Sequence, residues 1–149
     1  MPHVLIVADD LTGALDSSVA FAAPGRRVVV SLRPDALPAA LARHAQVLVL
    51  TTASREIAAD AARARTEAAL TGLDLARIPV VMKKVDSRLK GNTAVETAVL
   101  AKAMAAEACI ACPAIPDMDR VVSGGALTGM GVAAPIDVAA RFDLTVEVP

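Results

Sequence analysis

The chain has 149 residues, 55% of them hydrophobic, which fits one domain able to bury about 70% of its unfolded surface and argues against a disordered chain. Its formal net charge of −1 offers no basic field to a phosphate backbone, and Phe21 and Phe142 are its only aromatic residues, so stacking platforms for single-stranded nucleic acid are missing. No run of about 18 apolar residues is present, and no membrane span is expected.

The first element is "HVLIVA" (3–8), a continuous apolar run that reads as a strand. The chain enters it without a basic n-region or cleavage site, from which a cytoplasmic protein is expected. A helix over 12–23 follows, then the strand "RVVVSL" (27–32), a helix over 35–43, and the strand "AQVLVLT" (45–51). A helix over 55–71 leads to the strand "PVVMKKV" (79–85), a helix over 93–107, and a last buried strand "ACIAC" (108–112). Thr12, Ser54 and Thr93 are candidate N-caps, with Thr93 and Glu96 spaced as a capping box. Cys109 and Cys112, in the C-I-A-C run, read as buried structural cysteines. Beyond Pro113 the pattern decays into a glycine- and proline-containing stretch, and 138–149 suggests a short helix and strand. Strands covered on both faces and alternating with helices predict an α/β fold: a doubly wound, mainly parallel sheet with helices on both faces, in three α/β/α layers.

In such folds ligands bind at the carboxyl ends of the strands, and three of those ends are polar here. The first carries Asp9, Asp10, Thr12, Gly13 and Asp16. The second is "TTASRE" (51–56), with Ser54 and Arg55, and the third is "KKVDSRLKGN" (83–92). Carboxylates accept hydrogen bonds from hydroxyls, while cations and helix N-termini hold anions, so the combination suits a small polyhydroxylated acid or a phosphate. Blander roles exist for each: Asp10 or Asp16 could complement a helix dipole, and Arg55 and Glu56 could be a solvated pair. Neither G-x-x-x-x-G-K-[ST] nor G-x-G-x-x-G occurs, so no nucleotide loop is expected in this chain.

Four strings in order, "ADDLTGALD" (8–16), "TTASRE" (51–56), "KKVDSRLKGN" (83–92) and "PAIPDMDR" (113–120), resemble the N-terminal domain of the four-carbon acid sugar kinases, the ATP-dependent kinases of threonate, erythronate and 3-oxo-tetronate. The resemblance implies a sugar-acid-binding domain over 1–149. Asp9, Asp10, Asp16, Ser54, Arg55, Lys84, Asp86, Ser87, Lys90, Gly91, Asn92 and Arg120 would then hold substrate. Asp10 and Asp86 are the candidates for the catalytic base, and no metal ligands are implied. Three positions depart from the family's usual strings: Arg88 stands where Thr is common, Lys90 where Arg is common, and Asp119 where Gly is common. ATP and magnesium would come from a second domain that nothing in this sequence matches. A fragment, a truncated relative or one half of a split enzyme is therefore expected, with 113–149 as the junction. Its partners would be a small sugar acid and either a second copy or a separate ATP-binding domain, with no nucleic acid and no membrane.

Three other readings compete. A receiver-type signalling domain shares the acidic pair and the late lysine but needs an aspartate ending the third strand, where Thr51 and Thr52 stand. A metal-dependent phosphatase needs D-x-D spacing, and Asp9 and Asp10 are adjacent. A non-catalytic sugar-acid sensor or remnant would keep the fold and the binding without turnover.

Overall fold

A computed structural model describes the protein over residues 1–23 and 25–143. Four short strands form the main sheet: β1 (Val4–Ala8), β2 (Val28–Ser31), β3 (Val47–Thr51) and β4 (Val80–Lys84). They are all parallel, in the order β2-β3-β1-β4. Side chains alternate across the sheet, as period 2 requires. Leu5, Val7, Leu48 and Leu50 enter one core, and Ile6, Ala8, Val47 and Val49 enter the other.

The helices cover both faces. On the first face lie α2 (Leu37–Leu41), α3 (Ala59–Leu70) and α4 (Thr93–Ala103), through Leu37, Ala69, Leu70, Val99 and Leu100. The second face is covered by α1 (Leu11–Ala22), through Ala14 and Phe21. The three-layer doubly wound architecture is therefore present, with one layer a single helix among the described residues. No helix among the described residues is long and apolar enough to cross a membrane.

Chain order reverses around β1. After β3 the chain crosses over β1 to place β4 on its other side, which makes the carboxyl end of β1 the topological switch point. Ala8 pairs with both Thr51 and Lys84, so the loops after β1, β3 and β4 leave the sheet at one level.

The segment read as a fifth strand, 108–112, forms no ladder, and among the described residues β4 is the edge of the sheet. Cys109 and Cys112 are accordingly exposed, as is Ile110 at 96%. The physical reason is side-chain size: Ala108, Cys109, Ala111 and Cys112 offer little apolar area to repay ordering against the sheet. A cavity of about 530 Å³ separates this segment from β4 and α4, bounded by Met82, Leu100, Ile110 and Phe142.

The stretch that lacked a sequence pattern folds into a small antiparallel sheet of β5 (Arg120–Ser123), β6 (Ala126–Gly129) and β7 (Ile136–Asp137), followed by α5 (Val138–Phe142). Gly124 and Gly125, both at positive φ, make the two-residue hairpin turn between β5 and β6. A Cβ on Gly129 would overlap the Asp119 carbonyl oxygen, so only glycine lets these backbones meet. A separate core of Leu89, Leu127, Val138 and Phe142 clamps this sheet onto the loop after β4. The helix expected within 138–149 is α5, and the strand expected there lies outside the described residues.

The helix starts also differ from expectation. Asp10 caps α1, its Oδ1 accepting from the Gly13 N–H at 2.7 Å, so Thr12 lies inside the helix. The third helix begins only at Ala59 and has no side-chain cap, which leaves Ser54 in the loop. Thr93 opens α4 but donates to the Lys90 carbonyl, and Glu96 turns into the core instead of closing a capping box.

Candidate sugar-acid site

The switch point gathers three carboxylates around one guanidinium. Asp9, 3% exposed, directly follows β1 and accepts two hydrogen bonds from Arg55, from Nε at 2.9 Å and Nη2 at 2.7 Å. This is a bidentate fork, the strong form of the carboxylate–guanidinium pair. Asp10 accepts from Arg55 Nη1 at 2.8 Å through Oδ2 while its other oxygen caps α1. Asp86, from the loop after β4, places Oδ2 3.6 Å from the same Nη1. Adjacent aspartates at the strand end thus have separate tasks: one is buried and locked, the other bridges a helix and the crevice.

Local backbone chemistry sets the Asp86 end. Its Oδ1 accepts from the backbone N–H of Arg88 at 2.9 Å and of Lys90 at 3.4 Å, folding the loop over itself. Burial opposes ionisation of Asp86, but these two N–H groups and the charges of Arg55 and Arg88 outweigh it, so its pKa is lowered below the ordinary carboxylate value. Arg55 is held charged well above its usual range, chiefly by its hydrogen bonding to Asp9, against desolvation and with help from Asp10 and Asp86.

A buried polar layer supports the cluster from below. Ser54, fully buried, donates to Glu96 Oε1 at 2.6 Å, and Thr52 Oγ1 lies 2.6 Å from Ser54 Oγ. Glu96, also fully buried, has no well-angled hydrogen bond at Oε2, whose charge is met by Lys83 Nζ at 2.8 Å. Asn92 donates from its amide to the carbonyls of Ser54 at 2.8 Å and Ile57 at 2.9 Å, stitching the loop after β3 to the loop after β4. Gly91 lies against Arg55, where a Cβ would approach Arg55 Cγ at 3.1 Å.

The remaining expected residues are placed more loosely. Lys84 ends β4 beside Asp10 and donates to the Val85 carbonyl at 2.6 Å. Lys90 is exposed on the same loop. Ser87 turns away from the cluster and accepts from Arg120 Nη1 at 2.8 Å. Asp16 is exposed on α1, with no hydrogen bond or ion pair among the described residues. No group of three or more His, Cys, Asp or Glu among the described residues is placed to hold a metal ion. Arg55 fills the space between the carboxylates.

The Lys83–Glu96 pair escaped the sequence reading. A signal was present, since Glu96, Val99, Leu100 and Ala103 share one face of α4, and a carboxylate on an otherwise apolar stripe needs a buried partner.

A family model described as a sugar-binding N-terminal domain matches residues 4–141. The chain belongs to this family, the N-terminal domains of the four-carbon acid sugar kinases. This sugar-binding domain is 42% identical over 125 residues to a D-threonate kinase of Cupriavidus necator, covering 83% of the chain and 29% of that relative. It is 34% identical over 130 residues to a D-threonate kinase of Salmonella typhimurium, covering 87% and 30%. Similarity to a D-erythronate kinase of Heliobacterium modesticaldum is 29% over 128 residues, covering 85% and 29%. The domain thus spans about 30% of the length of these curated relatives. A crystal structure of a domain of unknown function from Bordetella bronchiseptica, a domain-swapped dimer with bound citrate, superposes with a TM-score of 0.76. Its sequence is 36% identical, and the match covers 93% of this chain and 34% of that one.

Proposed function

We propose that this domain binds a four-carbon sugar acid at the carboxyl ends of β1, β3 and β4, as the substrate-holding part of an ATP-dependent sugar-acid kinase. The observation that carries the reading is the convergence of Asp9, Asp10 and Asp86 on Arg55 at the switch point. Carboxylates outnumber the guanidinium there, so spare acceptor lone pairs remain for substrate hydroxyls. The D-threonate and D-erythronate kinases it resembles, and the citrate in the Bordetella structure, point to the same ligand class of small hydroxylated acids.

In this reading Arg55 is a positioning residue. All three of its nitrogens already face Asp9 or Asp10, so it holds the carboxylates in place and leaves the substrate's own charge to other cations. Ser54 acts one layer lower, fixing the loop through Glu96. Asp10, the more open of the two candidate bases, orients the accepting hydroxyl and takes its proton as that oxygen attacks the terminal phosphorus of ATP and ADP departs. ATP and magnesium belong to a second domain in the same or a separate chain, since no glycine-rich phosphate loop follows a strand here. A second copy of the chain is the other partner in this reading, with the domain-swapped Bordetella dimer as its precedent.

Calorimetric titration of the 149-residue chain with D-threonate, D-erythronate and 3-oxo-tetronate tests this. Saturable binding of one acid, weakened tenfold or more by Asp10→Asn, is expected, because asparagine keeps the α1 cap and removes the charge. Binding of none of the three acids would overturn the reading.

A further inference from the structure

The loop after β4 has a second charged end, opposite the carboxylates. Arg120, the first residue of β5, is 8% exposed. Its Nε donates to the Met130 carbonyl at 2.9 Å and its Nη1 to Ser87 Oγ at 2.8 Å, with Met118 Sδ at 3.5 Å. Nη2 has no acceptor among the described residues, and Arg120 forms no ion pair there. Asp119 is its neighbour in sequence yet forms no ion pair with it: Asp119 takes the left-handed conformation, φ 51°, at the turn before β5.

A second guanidinium approaches the same spot. A Cβ built on Gly131 would lie 3.5 Å from Arg120 Nη2, and 3.6 Å and 3.7 Å from Arg88 Cδ and Nη1. Gly131 thus leaves open a cradle bordered by two arginines, and Arg88 also forms no ion pair among the described residues. Arg120 is buried and Arg88 half-buried, so their like charges repel each other, and an oxyanion between them relieves the repulsion while supplying acceptors to the free N–H groups.

Resting on the function proposed above, we propose that Arg88 and Arg120, with the Ser87 hydroxyl, form an oxyanion subsite that takes the carboxylate of the sugar acid. Asp86 faces the acidic cluster and Ser87 faces the arginines, and adjacent Cα atoms are about 3.8 Å apart. In this arrangement the sugar acid's hydroxyls face Asp10 and Asp86 and its carboxylate faces Arg88 and Arg120. The acid group of the ligand then has a cationic partner that Arg55, already engaged by Asp9 and Asp10, does not provide.

The test is calorimetry on the full chain with D-threonate, with D-threitol, which lacks the carboxylate, and with inorganic phosphate. Arg88→Leu tests the half-exposed partner, and Arg120→Lys keeps charge at the buried one while removing the fork. The expected result is D-threonate binding weakened at least tenfold by Arg88→Leu and by Arg120→Lys, with threitol affinity the same in Arg88→Leu as in wild type. D-threonate binding that neither variant alters overturns the subsite and leaves the proposed function standing. Phosphate binding that depends on both arginines, with D-threonate binding independent of them, assigns the corner to a phosphoryl group and overturns the carboxylate assignment. Binding of no sugar acid and no phosphate overturns both.

Discussion

On one side of the Asp86–Ser87 step three carboxylates share a single guanidinium, and on the other two guanidiniums form no ion pair among the described residues. Both clusters hang on one loop, yet they differ in how complete they are. The acidic side is held together by its own charges, since Arg55 binds Asp9 through a fork and Asp10 through a third hydrogen bond. The cationic side is held by a carbonyl and a hydroxyl, leaving charge in reserve. A self-satisfied cluster contributes shape and spare lone pairs, whereas an unsatisfied one contributes affinity for an ion.

Removing the support beneath the acidic side should cost most. Glu96→Ala leaves Lys83 charged and buried without its partner, and a loss of roughly 3–5 kcal/mol in urea unfolding is expected. Lys83→Met combined with Glu96→Gln should recover much of that, because both charges then leave together. Full additivity of Lys83→Met and Glu96→Gln, measured singly and together, would show that the pair is not coupled.

Arg55→Ala attacks the acidic side itself. Three carboxylates would face one another without the guanidinium that joins them, and a loss of roughly 3 kcal/mol is expected. An unfolding midpoint within error of wild type would contradict the central place given to Arg55.

Gly129→Ala tests the scaffold of the cationic side. Its Cβ would overlap the Asp119 carbonyl, so the β5–β6 hairpin should open, with a cost of roughly 1–3 kcal/mol and faster amide exchange over 120–129 than over β1 and β3.

Acid titration separates the two sides more gently. The folded pKa of Asp86 is lowered from 3.8, so its contribution to stability is fully present above 3.8 and is lost as pH falls through the lower folded value. Asp86→Asn should therefore flatten the acid limb of the stability curve below pH 3.8 and leave its shape near neutrality unchanged. The smallest effect is expected for Cys109→Ser with Cys112→Ser, within about 0.5 kcal/mol, since both thiols are exposed.

Much of this was legible in the sequence, for physical reasons. Continuous apolar runs such as "VLIVA" and "VLVLT", short and rich in valine and isoleucine or leucine, read as strands covered on both faces, and in a parallel sheet the polar strings after them share one edge. Asp9, Asp10, Arg55 and Asp86 were accessible in this way. Their pairing was not, because which carboxylate takes which N–H depends on three loops meeting at one level. The segment 108–112 misled because hydrophobic character was read as burial, although alanine and cysteine carry little area with which to enforce it. The small sheet was hidden by four-residue strands too short to show alternation, although the Gly124–Gly125 pair marked its turn. Asp119, at the position where the related strings carry glycine, now has an explanation in its φ of 51°, which aspartate tolerates better than most residues.

Chemical-shift mapping of the isotope-labelled chain titrated with D-threonate tests the central claim most directly. The largest amide perturbations are predicted at 9–13, 54–57 and 86–92, the three loops at the carboxyl edge of the main sheet. Perturbations centred on the amino edge, or on the cavity beside 106–115 with those loops unmoved, would contradict it.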